Sequence, residues 1–105
     1  MPMYQVSTLA DIPSGTGRAF DVDGRRVAVF RVDDELYAID DTCSHAEASL
    51  SAGEFDPDEY CVECPLHGSI FDVRSGVPRT LPAFEPVETY RVFVEGDHVF
   101  VEYSA

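Results

Sequence analysis

Cys43-Ser44-His45 and, after eighteen intervening residues, Cys64-Pro65-Leu66-His67 are the two stretches around which the rest of the chain organises itself. Each supplies one cysteine and one histidine. Cys43 and His45 are two residues apart, so in an extended loop their side chains leave on the same side. Cys64 and His67 are three apart across a proline, which suits a tight turn that gathers both at one point. Placed side by side, two such loops offer two thiolates and two imidazoles to a common centre that can hold metal.

Spacing alone leaves the metal open. A structural zinc ion accepts two Cys and two His, although zinc sites usually group Cys with Cys and His with His, whereas here each loop brings one of each. A Rieske [2Fe–2S] centre needs the same four groups, two Cys on one iron and two His on the other. The pairing Cys-x-His then Cys-x-x-His resembles the Rieske family, and the likeness continues through Gly68, Ser69, Phe71, Asp72 and Gly76. It implies a [2Fe–2S] cluster held by Cys43, His45, Cys64 and His67. It also implies the role of a Rieske-type ferredoxin, the small electron carrier of multicomponent ring-hydroxylating dioxygenases.

High-potential members of that family carry an extra Cys in each loop, joined as a disulfide beneath the cluster. The resemblance puts Ala48 and Leu66 at those positions, so no such disulfide is expected. Those members also follow the second His with a Ser and a Tyr, whose hydroxyls stabilise the reduced state by donating hydrogen bonds to sulfur. Here Ser69 is present and Phe71 stands at the Tyr position. With one donor fewer and much negative charge around, the midpoint is expected near the lower end of the range of about −150 to +300 mV. The electron is expected mainly on the iron bound by His45 and His67, and the midpoint is expected to fall with rising pH in the alkaline range. The stretch Leu81-Pro82-Ala83-Phe84-Glu85-Pro86 resembles the family's proline loop, which implies an apolar cover over the sulfurs.

Two residues remain outside this scheme. Cys61 makes Cys61-Val62-Glu63-Cys64 a formal C-x-x-C redox motif, but Tyr60 to Glu63 reads as a strand entering the second loop, and a buried, inert thiol is expected. His98 is spare and falls on an exposed hairpin strand. The chain has only three His. With two committed to the cluster, the mononuclear iron site of a terminal oxygenase, two His and a carboxylate, cannot be built, so a carrier and not a catalyst is expected.

Twenty acidic residues oppose seven basic ones, all Arg, for a formal charge of −13. Nucleic acid is excluded as a partner, since its phosphates would be repelled. Acidic residues cluster at Asp33-Asp34-Glu35, Asp40-Asp41 and Glu54 through Glu59. They fit either steering toward basic patches on redox partners or general solubility and adaptation to high salt. The expected partners are an NAD(P)H-dependent flavoprotein reductase and a terminal non-heme iron oxygenase. No apolar run approaches the roughly 20 residues of a membrane helix, and the first residues lack a secretory pattern. A cytoplasmic monomer with reduced cysteines is expected.

The remaining sequence reads as all-β, with residues 1–105 forming a single domain. Strands are expected over Arg18 to Val22 and Arg25 to Val32, joined by Asp23-Gly24 in a type I′ turn. Leu36 to Ile39 follows, delivering the chain to Cys43. A C-terminal hairpin turns at Gly96-Asp97, with Tyr90, Val92, Val94, Val99, Val101 and Tyr103 on one face. Helical structure is limited to a short turn at Leu9 to Ile12. Residues from about 41 to 80 then form a small cluster-binding subdomain inserted into a β-sandwich or barrel. A carrier or accessory in iron–sulfur assembly or nitrite reduction is the alternative of the same chemistry, and a structural zinc domain is the alternative of another class.

Overall fold

The computed structural model describes residues 3–43, 48–66, 68–81, 83 and 85–103. Nine strands run in chain order: β1 (Met3–Thr8), β2 (Gly17–Val22), β3 (Arg25–Val32), β4 (Glu35–Asp40), β5 (Phe55–Asp56), β6 (Cys61–Glu63), β7 (Ile70–Asp72), β8 (Thr89–Glu95) and β9 (His98–Glu102). Two single 3-10 turns, Leu9–Asp11 and Leu50–Ala52, are the only helical pieces among the described residues. Six strands form one antiparallel sheet in the order β1-β9-β8-β4-β3-β2, and β1 comes back against β2, so the sheet nearly closes. The other three form a small antiparallel sheet, β5-β6-β7. The architecture is all-β.

The β2–β3 connection shows why these residues turn where they do. Val22 pairs with Arg25, leaving a two-residue loop. Asp23 and Gly24 have φ of 50° and 83°, the two positive values a type I′ turn requires and whose twist matches the flanking strands. At the far end Glu95 pairs with His98 around Gly96-Asp97. Val99 and Val101 are fully buried, while Phe93 and Phe100 stack across the opposite face with ring centroids 5.9 Å apart.

Strand β3 positions everything else. Its run Val27-Ala28-Val29-Phe30 is buried at every position, the pattern of a strand covered on both faces rather than one. Val27 and Val29 point into a core with Ile12, Val22, Ala38, Val99 and Val101. Ala28 and Phe30 point the other way, into a second core with Ile39, Leu50, Val62, Phe71, Val73, Cys43 and Cys64. The Phe30 ring packs against Phe55, centroids 4.8 Å apart, and lies so close to Gly17 that a Cβ there would overlap it. Tyr60, at the entry to β6, meets Tyr37 of β4 edge-on at 5.7 Å and carries the Arg74 guanidinium 4.6 Å above its ring.

The sequence reading missed β1, β5 and β7. Strand β1 has an irregular register against β9, with a slip between Gln5 and Ser7, which breaks the alternation that would have announced it. Strands β5 and β7, at two and three residues, are too short to show a period. Phe30→Ala should cost about 3–5 kcal/mol, as deletion of a buried aromatic does, and should loosen the small sheet from the large one. Denaturant unfolding checks the cost, and hydrogen exchange at β6 and β7 checks where the loosening falls.

Candidate metal centre

The first loop leaves β4 at Asp40 and is closed as a narrow ladder. Thr42 bridges Ser49, the Cys43 amide donates to the Ala48 carbonyl at 3.0 Å, and the Leu50 amide donates to the Asp41 carbonyl at 2.6 Å. The Asp41 carboxylate braces this ladder from inside. It is 1% exposed and accepts from Arg26 Nε at 3.0 Å, from the Ser51 amide at 2.8 Å and from the Ser49 hydroxyl. Burial pushes its pKa up, but these donors outweigh burial and hold it below the ordinary value. Asp40 faces elsewhere, into a bidentate pair with Arg25 at 2.9 Å and a bond from the Tyr90 hydroxyl at 2.6 Å.

The second loop is the turn of the β6–β7 hairpin. The Cys64 amide donates to the Ser69 carbonyl at 2.7 Å, and the Gly68 amide returns to the Cys64 carbonyl at 2.9 Å. Gly68 sits at φ 74°, a conformation open to glycine at little cost. Behind the hairpin, residues 72–81 and 85–88 are lashed to it. The Arg79 amide donates to Ile70, and the Val87 amide to Gly76. Gly76 lies at φ 75° directly under the Val87 carbonyl, leaving no room for a Cβ. The buried Ser69 hydroxyl accepts the Ala83 amide at 3.0 Å, which leaves its own hydrogen free to donate.

Cys43, 4% exposed, and Cys64, 1% exposed, thus lie in one apolar core at the neck of the two loops. None of the three cysteines is in a disulfide. His45 and His67 lie outside the described residues, as do Pro82 and Phe84 of the proline loop. Cys61 opens β6 and is half-buried rather than fully buried. Burial pushes its thiol up, with Asp56, Glu59 and Asp72 adding to burial against Arg79, which suits an unreactive thiol. His98 is exposed on β9, bonded to the Gln5 side chain.

Asp72 is the knot of the second loop. Its carboxylate accepts from Arg74 Nη2 at 2.9 Å, Arg79 Nη2 at 2.7 Å and the Arg74 amide at 2.8 Å. Arg79 also reaches the Glu59 carbonyl. Partial burial would raise the Asp72 carboxyl; the two guanidinium groups outweigh it and hold the group well below the carboxylate range. These two aspartate networks, built on Arg26, Ser49, Ser51, Arg74 and Arg79, went unread in the sequence. Arg26, Ser49, Ser51 and Arg79 stand seven to fifteen residues from the aspartates they serve, too far to form a motif, and Arg74, two residues from Asp72, carries no signal by itself.

The chain matches the model of the Rieske [2Fe–2S] domain over residues 2–91. It belongs to the Rieske family. The ferredoxin subunit of 3-phenylpropionate/cinnamic acid dioxygenase from Escherichia coli (strain K12) is 43% identical over 94 residues, covering 90% of this chain and 87% of that protein. Among solved structures, the ferredoxin of carbazole 1,9a-dioxygenase from Nocardioides aromaticivorans IC177 superposes with a TM-score of 0.93 at 46% identity. It covers 96% of this chain and 97% of its own. A chain in the complex of reduced oxygenase and oxidized ferredoxin in carbazole 1,9a-dioxygenase gives 0.87 at 38% identity over 94% of this chain and 91% of its own. The Rieske type of the fold follows, and with it one [2Fe–2S] cluster. The two buried thiols and the inward Ser69 hydroxyl suit such a group.

The depressed Asp72 carboxyl carries a pH dependence. Its folded pKa lies below the unfolded value of about 3.9, so its stabilisation is complete at neutral pH and is lost as pH falls below about 4. Arg79→Ala should raise the Asp72 pKa toward the ordinary value and move acid unfolding to higher pH. Carboxyl NMR titration checks the first, and acid denaturation followed by circular dichroism checks the second.

Proposed function

We propose that this protein carries single electrons from an NAD(P)H-dependent flavoprotein reductase to a terminal non-heme iron oxygenase that acts on aromatic rings. The observation that carries this reading is the likeness to a dioxygenase ferredoxin subunit, at 43% identity over 90% of the chain. The chain is an electron-transfer component rather than the catalyst. Cys43, His45, Cys64 and His67 are the proposed ligands, with residues from about 41 to 80 as the cluster-binding part of a single domain. When bound, the cluster supplies reversible one-electron chemistry at small structural cost.

The chain's own residues then do the rest. The Cys43 and Cys64 amides and the second-loop turn hold both thiolates in a dry core. Ser69, whose carbonyl accepts the Cys64 amide, has one hydroxyl hydrogen to donate, and the fully buried Phe71 has none, which supports a midpoint low in the Rieske range. Four large apolar residues among those described are conspicuously exposed, and three lie in these loops: Leu66 at 62%, Val77 at 51% and Leu81 at 79%. Exposed apolar residues that adjoin one another mark a candidate docking surface. Val77 and Leu81 line one shallow groove of about 300 Å³ with Pro78, Ala83 and Pro86.

The charge pattern is narrower than the sequence suggests. Asp40 and Asp41 are engaged with Arg25 and Arg26, so of the acidic clusters only Asp33, Asp34 and Glu35, and Glu54, Asp56, Asp58 and Glu59, stand exposed. These would steer encounters with basic patches on the partners in a salt-dependent way. No described helix is long and apolar enough to cross a membrane. A cytoplasmic monomer accords with the proposed role.

Reconstitution with a dioxygenase reductase and its oxygenase tests the proposal. Product formation on adding this protein is expected, with a rate that falls as ionic strength rises; a protein that accepts electrons from no such reductase would overturn the reading. Cys64→Ala should lose the iron altogether. Leu81→Asp should keep the iron and the midpoint while weakening transfer to the oxygenase about fivefold, the equivalent of about 1 kcal/mol. Stopped-flow oxidation of the reduced variant checks this.

A further inference from the structure

Among the described residues Asp41 is the one charged side chain that is fully buried. Its place is under the first loop, two positions before Cys43, which keeps the two Cα atoms within about 7 Å. Three donors converge on its carboxylate: Arg26 Nε, the Ser51 amide and the Ser49 hydroxyl. A carboxylate that receives only donors is held as the anion. Its cationic partner is placed differently. The Arg26 side chain is 56% exposed against 1% for Asp41, so water screens the positive member of the pair far more than the negative one.

We infer that the Asp41–Arg26 pair tunes the midpoint potential of the metal centre, the buried anion disfavouring the added electron and the rim guanidinium partly offsetting it. The inference rests on the proposed ligation by Cys43. Asp41 acts here as a positioning residue with a second, electrostatic effect. Through Ser49, Ser51 and the Leu50 amide it closes the ladder that fixes Cys43. Through its charge it acts on the electron across low-dielectric protein. At about 10 Å and an effective dielectric constant near 20, one unit charge changes a one-electron equilibrium by on the order of tenfold, or about 59 mV.

The exposed acidic clusters act more weakly, because water and salt screen charges that stand in solvent. Asp40 supplies the internal comparison. It is next in sequence, but its carboxylate is directed to Arg25 and Tyr90 on the large sheet.

The test is a redox titration, followed by EPR, of the iron-loaded protein and of three variants. Asp41→Asn should raise the midpoint by about three- to tenfold in the reduction equilibrium, about 30–60 mV. Arg26→Gln should lower it, leaving the anion without its offset, and Asp40→Asn should move it less than Asp41→Asn. A purely structural role predicts loss of iron or shifts of one sign in both members of the pair; either one-signed shifts or none beyond error would overturn the inference. If Asp41→Asn does not retain iron, Arg26→Gln decides alone: a lower midpoint supports the pair's role, and an equal or higher one refutes it. A native protein that holds no [2Fe–2S] cluster would instead bring down the carrier reading before any variant was compared.

Discussion

Burial of β3 on both faces is the constraint on which the rest of the structure depends. An antiparallel strand usually shows one face to water, but Val27 to Phe30 have no exposed position. One face completes the interior of the nearly closed sheet, and the other completes the core that holds Cys43 and Cys64. The small sheet, with eight residues of strand, could not stay folded alone, since isolated short hairpins are marginal in water. It is ordered because Phe30, Ala28 and Ile39 give it an apolar floor, with Phe55 and Tyr60 seated against β3 and β4.

On that floor the two loops are shaped by polar rather than apolar contacts. Asp41 closes one and Asp72 the other, each gathering guanidinium and main-chain donors, Asp41 from residues distant along the chain and Asp72 from nearby Arg74 together with Arg79. Both are paired and hydrogen-bonded, the condition under which a buried or half-buried carboxylate is tolerated. The result is a pair of braced loops whose interior is dry at the thiols, with Leu66 of the second loop and Val77 and Leu81 of the following segment left in water. Small rearrangement on gaining or losing an electron, and an apolar end for brief docking, are what a diffusing carrier needs.

Much of this was legible in the sequence, for identifiable reasons. The β2–β3 turn was readable because Asp23-Gly24 meets a strict backbone requirement, and the C-terminal hairpin because Val99 and Val101 alternate cleanly. Cys43 and Cys64 were readable as a pair because each has a His at fixed spacing and Gly-Ser follows the second. The double burial of β3 was not read, although four consecutive apolar residues were there to suggest it. Asp41 was read as surface charge. Nothing local distinguishes it from Asp40; only the strand's alternation and the donors at Arg26, Ser49 and Ser51 turn it inward. His45 and His67 rest on the sequence resemblance and the family match, since they fall outside the described residues.

The most direct measurement is the EPR spectrum of the chemically reduced protein, taken with metal analysis. Mixed Cys and His ligation predicts two irons per chain and a rhombic signal whose average g lies below that of all-Cys [2Fe–2S] clusters. A silent spectrum with one zinc per chain would contradict it, and would make the same four residues a structural staple rather than a path for electrons.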